Sequence, residues 1–161
     1  MDLPKRKPSR LKQYDYNQPG IYFITICAKD RQPIFGSVVG GGALDAPKTA
    51  LSPIGRILEQ YILSTDNIPY ISVKAYVIMP NHVHLLIEVL KPDGMSKAPS
   101  STNATVPHTI ATLKRFVNQA LGENVFQRSF HDRIVRNEKE YQKIFEYIQT
   151  NPAKWQKDCF L

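Results

Sequence analysis

Between Ile71 and Val89 the chain reads ISVKAYVIM-PN-HVHLLIEV, two β-branched, apolar runs separated by Pro80-Asn81. Runs of this composition are strands, and a Pro-Asn connection makes a tight turn. The two strands are therefore antiparallel neighbours, which commits the fold to a sheet. Successive strand side chains leave opposite faces. Val83, Leu85, Ile87 and Val89 form one fully apolar face, the core side, while His82 and His84 leave together from the other.

The rest of the chain supplies partners for this hairpin. Gly20–Ala28 (GIYFITICA) is a strand with Tyr22, Ile24 and Ile26 on one face and Phe23, Thr25 and Cys27 on the other. The stretch 36–48 contains Gly40-Gly41-Gly42 and Pro47 and is predicted to be a loop. Ser52-Pro53 opens a helix, as an N-cap serine followed by a first-position proline, and Ile54, Ile57, Leu58, Tyr61 and Ile62 recur at helical spacing. A second loop is predicted over 91–105. A helix over 107–121 turns Ile110, Leu113, Val117 and Ala120 inward and ends at Gly122. A fourth strand is expected over 126–136. Asn137 and Glu140 form a capping box for a last helix running to about Thr150, where Asn151-Pro152 stops it. The order is β-α-β-β-α-β-α. Without its last helix this is the ferredoxin-like split βαβ order. The expected fold class is α+β: a four-stranded antiparallel sheet with helices on one face, a C-terminal tyrosine-bearing helix, and the second face available for a site.

Composition narrows the function classes. The 161 residues are 42% apolar, enough for a core. No run reaches the length of a membrane span, no apolar stretch of the signal-peptide kind follows the basic N-terminus, and two cysteines are too few for a disulfide scaffold. A cytoplasmic, nucleoid-associated location is the expectation. The net charge of +7 favours an anionic partner such as nucleic acid. Lys5, Arg6, Lys7, Arg10 and Lys12 crowd the first thirteen residues. They form either a solvated end or an arm that contacts phosphates. The remainder, 14–161, is expected to be a single domain.

Two imidazoles converging from one strand face make half of a metal site. A pair of half-exposed histidines without a ligand would show the same spacing. Glu88 shares their face but lies too far along the strand to join them. On the last helix Tyr141, Ile144, Phe145 and Ile148 form the apolar stripe. Tyr147 lies beside it, with Asn151 four residues on. His131 is a lesser candidate to face the site, His108 is expected to be only exposed, and Trp155 reads as a packing anchor.

Residues 79–86, MPNHVHLL, resemble the HUH motif (histidine, hydrophobe, histidine) of single-tyrosine transposases, and 147–152, YIQTNP, resemble their tyrosine-helix motif. YFITICAKDRQPIF, LKRFVNQ and FQRSFHDRIVRNEKEY are also typical of the REP-associated and insertion-sequence-200-like members. The resemblance runs from about Gly20 to Trp155. It implies that His82 and His84 bind a divalent ion, Mg²⁺ or Mn²⁺, and that Tyr147 is the nucleophile. Asn151 would sit where many relatives place a metal-completing glutamine, one methylene longer. The implied activity is metal-dependent cleavage and strand transfer of single-stranded DNA hairpins through a 5′-phosphotyrosine, by a monomer or homodimer. With the arm, Lys114 and Arg115 are the expected phosphate contacts. Two alternatives are a catalytically silent binder of DNA hairpins and a structural-metal or RNA-binding ferredoxin-like domain.

Overall fold

A computed structural model describes Tyr14, residues 18–90 and residues 106–157. The basic arm, Lys5 to Lys12, and the loop expected over 91–105 lie outside the described residues. Among the described residues six strands and three α-helices follow one another: β1 (Gly20–Cys27), β2 (Gly36–Val39), β3 (Lys48–Leu51), α1 (Pro53–Ser64), β4 (Ile71–Met79), β5 (His82–Val89), α2 (Val106–Leu121), β6 (His131–Val135) and α3 (Glu138–Thr150). A 3-10 turn, Asn151–Lys157, continues α3.

β4, β5, β1 and β6 lie in that order in one antiparallel sheet. The register sets Thr25 of β1 between His84 of β5 and His131 of β6, and Phe23 between Leu86 and Arg133. One face carries the main core, in which Tyr22, Ile24, Val83 and Leu85 pack against Leu58 and Ile62 of α1 and Ile110 and Val117 of α2. α3 covers part of the opposite face, where Ile144 and Ile148 meet Ala75 and Leu86 in a second, smaller cluster. The expected four-stranded α+β architecture is observed, with helices on both sides of the sheet rather than one face left wholly available.

Five local expectations are corrected. First, the glycine-rich stretch is a hairpin rather than a loop. β2 and β3 pair antiparallel and place Gly40 and Gly41, both at positive φ, beyond the last pair. The glycines supply the turn instead of preventing the strands. Second, the fourth strand of the sheet begins at His131, not Phe126. Before it, Phe126 makes only an isolated bridge to Ala28, and the Lys114 ammonium donates to the carbonyls of Gln127 (2.8 Å) and Ser129 (3.0 Å). Those two carbonyls are satisfied by a side chain rather than by a neighbouring strand. Third, Ala120 is exposed rather than inward, since the stripe of α2 continues from Val117 to Leu121, one turn on. Fourth, Asn137 accepts from the Glu140 N–H as expected, but the Glu140 carboxylate takes the N–H of Arg136, one residue before the cap. Fifth, Asn151 keeps a right-handed helical backbone (φ −58°, ψ −44°) despite the following proline, and the chain tightens into the 3-10 turn instead of breaking away.

Candidate active site

β5 begins directly after the Pro80-Asn81 turn, so its first alternate residues, His82 and His84, stand at the end of the sheet. Both are buried, 1% and 6% exposed, because α3 and the turn after it close over them. Half-exposure is thus corrected. Their Nε2 atoms face each other at 3.1 Å. Each Nδ1 has a partner behind it. Asn81 Oδ1 accepts from His82 Nδ1 at 2.8 Å, and the Asn81 amide is oriented by donating to the Arg31 carbonyl. Thr25 Oγ1 shares a hydrogen bond with His84 Nδ1 at 2.8 Å. Phe23 stacks on His84 and Trp155 on His82, the packing role expected of that tryptophan.

Burial, and then the neighbouring His82, push the His84 pKa down to about 3. His84 is therefore a neutral imidazole at physiological pH. With Nδ1 of His82 donating, the Nε2 of its neutral form bears a lone pair aimed at His84. The facing nitrogen must supply a hydrogen, or both nitrogens must share a cation. Two nitrogens each about 2.1 Å from one ion, at roughly right-angled to tetrahedral openings, lie about 3.0–3.4 Å apart. The observed separation meets that requirement, and the partnered Nδ1 atoms are the usual outer support of ligating histidines.

α3 brings the other two candidates. The Tyr147 hydroxyl lies 3.4 Å from His84 Nε2, and its ring meets Phe23 and His84 edge-on. Asn151 is fully buried, and neither its Oδ1 nor its Nδ2 has a hydrogen-bond partner. Such an orphaned amide is costly unless a ligand satisfies it. Among the described residues no group of three His, Cys, Asp or Glu side chains gathers to hold a metal. The buried, unpartnered Oδ1 of Asn151 is an oxygen donor of the kind that divalent cations accept.

A cavity of about 410 Å³ opens beside the tyrosine and the histidine pair. Its sheet side includes Phe23, Thr25, His131 and Arg133, and its helix side Lys143, Ile144 and Tyr147. His131 thus faces the site. Lys114 and Arg115 do not join this cluster. They belong to α2, on the other side of the sheet, where Lys114 holds the 127–129 backbone and Arg115 lies over the Phe116 ring. Arg133 and Lys143 were missed in the sequence. The signal was the two-residue spacing of His131 and Arg133, which is informative only once the strand boundary is known.

Residues 20–151 match the sequence profile of the family described as "Transposase IS200 like". An uncharacterized protein of Haemophilus influenzae is 32% identical over 173 residues, spanning 95% of this chain and 91% of its own length. A second protein of that organism, provisionally named a REP-associated tyrosine transposase, is 23% identical over 146 residues, 87% of this chain and 74% of its own. A solved REP-associated tyrosine transposase bound to a REP hairpin shares the fold with a TM-score of 0.62 at 21% identity, over 91% of this chain and 74% of that one. Among the described residues no helix is long and apolar enough to cross a membrane. The chain belongs to the IS200-like transposase family.

Proposed function

We propose that this chain cleaves single-stranded DNA beside a hairpin and transfers the cut strand, with Tyr147 as nucleophile. The observation that carries the reading is the Tyr147 hydroxyl 3.4 Å from His84 Nε2, within a buried pair of imidazoles and at the wall of a cavity. The Tyr147 hydroxyl gives its proton to water as its oxygen attacks phosphorus, the P–O3′ bond breaks, and the leaving 3′-oxygen takes a proton from water, so the products are a 5′-phosphotyrosine and a 3′-hydroxyl. The phosphodiester energy is conserved, so the reverse attack reseals a strand without a nucleotide cofactor. Phe23 and His84 hold the ring in place. His84, with its pKa near 3, is unsuited to keep the phenol proton at neutral pH. His82, His84 and Asn151 would hold a divalent cation, Mg²⁺ or Mn²⁺, which supplies Lewis-acid charge neutralisation at the non-bridging phosphate oxygens. The DNA hairpin of the solved relative supports the choice of substrate. In this reading the basic arm, with Lys114 and Arg115, contacts phosphates farther along the DNA.

Incubation with labelled hairpin DNA and Mn²⁺, followed by a denaturing gel, tests the proposal. Wild-type protein should form a covalent adduct. Tyr147→Phe should fold, bind DNA and form none. Hairpin binding by wild-type protein with no adduct would instead mark a silent binder, and an adduct of normal yield in Tyr147→Phe would move the nucleophile elsewhere, Tyr141 being the next residue to test.

A further inference from the structure

α3 packs over β4 and β5, the half of the sheet where its Ile144 and Ile148 find Ala75 and Leu86. The cavity occupies the neighbouring part of that face, between α3 and β6. Basic side chains line both walls of this trough. His131 and Arg133 are two apart on β6 and stand across β1 from His84 and Leu86, so both leave the α3 face. Opposite them Lys143 lies four residues before Tyr147 on α3, on the same side of the helix, and lines the same cavity. Phe23 lies between the two walls as an aromatic floor. Of the carboxylates nearby, Glu140 pairs with Arg133 Nη2 and accepts from the Arg136 N–H. Asp132, in register with Ile24 of the core face, also lines the cavity and keeps a buried Oδ1 without a hydrogen-bond partner. A guanidinium carries five N–H donors, and a bridge through one nitrogen fixes the group while leaving others for an anion. Arg133 remains largely exposed.

The geometry points to this trough as the track of the strand being cut, with Arg133 and Lys143 as positioning residues that hold backbone phosphates on either side of it. The inference rests on the proposed cleavage reading and extends it by naming which surface the strand follows to Tyr147. Phosphate contacts release counterions, so each one removed lowers the log–log salt slope of binding by about 0.7 for a single strand.

The experiment measures the affinity of the full chain for labelled single-stranded hairpin DNA across a salt series, with adduct formation read on the same samples. Arg133→Gln and Lys143→Gln should each lower the slope by about 0.7, and the double variant by about 1.4. Arg133→Lys should restore most of the slope, because charge rather than packing carries it. Lys139→Gln, on α3 but outside the cavity lining, should leave the slope unchanged. A wild-type adduct together with a wild-type slope in the double variant overturns the track and leaves cleavage standing. A reduced slope in the double variant with no adduct in wild type supports the track and overturns cleavage. A melting temperature of the double variant within a few degrees of wild type excludes misfolding as the cause. If it falls further, Arg133→Lys and Lys143→Arg replace the glutamines, and a lost slope in those charge-preserving variants overturns the track.

Discussion

His84 shows how burial decides what a titratable residue does. Its imidazole would carry a proton in the unfolded chain below pH 6.5 but takes one in the folded protein only near pH 3. Between those values the unfolded state binds the extra proton, so stability falls as pH falls. Metal-free protein should lose on the order of 3 kcal/mol from this group between pH 6.5 and 4. Thermal melts should show a shallower pH dependence in His84→Gln; an unchanged profile would mean that another group dominates acid unfolding. The Thr25 hydroxyl behind His84 Nδ1 gives a second residue-scale test. Thr25→Val keeps the shape and removes the partner, so Mn²⁺ affinity by calorimetry should fall about 10–100-fold. The positions of His82, His84 and Tyr147 were legible in the sequence because strand alternation and motif spacing are local. The supports were not. Asn81 precedes His82 and could have been suspected, whereas Thr25 is identified only by the pairing of β1 with β5.

At the scale of elements, α1 is fixed at its start. Ser52 caps it by accepting from the Gly55 N–H at 3.1 Å, and its hydroxyl donates to the Ile34 carbonyl at 2.6 Å. Gly55, one turn in, lies so close to the Phe35 carbonyl oxygen that a Cβ would collide with it. Gly55→Ala should therefore destabilise by about 1–3 kcal/mol or more, despite the better helix propensity of alanine, and a chemical-denaturation midpoint equal to wild type would refute this tight approach. The serine cap and the helical stripe were plain in the sequence, but the reason for glycine was not, since it lies in a contact with residues twenty positions earlier. The same distinction explains β2, β3 and β6. The glycines of the 40–42 stretch read as breakers because the four-residue strands flanking them are too short to show a period. The backbone just before β6 is held by the ammonium of Lys114, a side chain from another element, which no local pattern reveals.

For the whole molecule, charge and core are distributed unequally. Residues 1–12 carry Lys5, Arg6, Lys7, Arg10 and Lys12 against Asp2, net +4 of the +7 total. Deleting them removes no member of the histidine–tyrosine cluster. Hairpin affinity and its salt slope should fall while the single-turnover rate at saturating DNA is retained; an unaltered slope would make the segment a solvated end. The two faces of the sheet are held very differently. Among the described residues the α1 and α2 face is a core of twenty buried residues, whereas the α3 face rests on the cluster of Ala75, Leu86, Ile144 and Ile148 with partly buried aliphatic and aromatic neighbours. Opening free energies follow the apolar surface that each segment buries. The helix that carries Tyr147 should therefore open as a separate cooperative unit, at a fraction of the cost of unfolding β1 or β5. Hydrogen–deuterium exchange would resolve it as a foldon whose amides between Tyr141 and Thr150 lose protection well before those of the central strands.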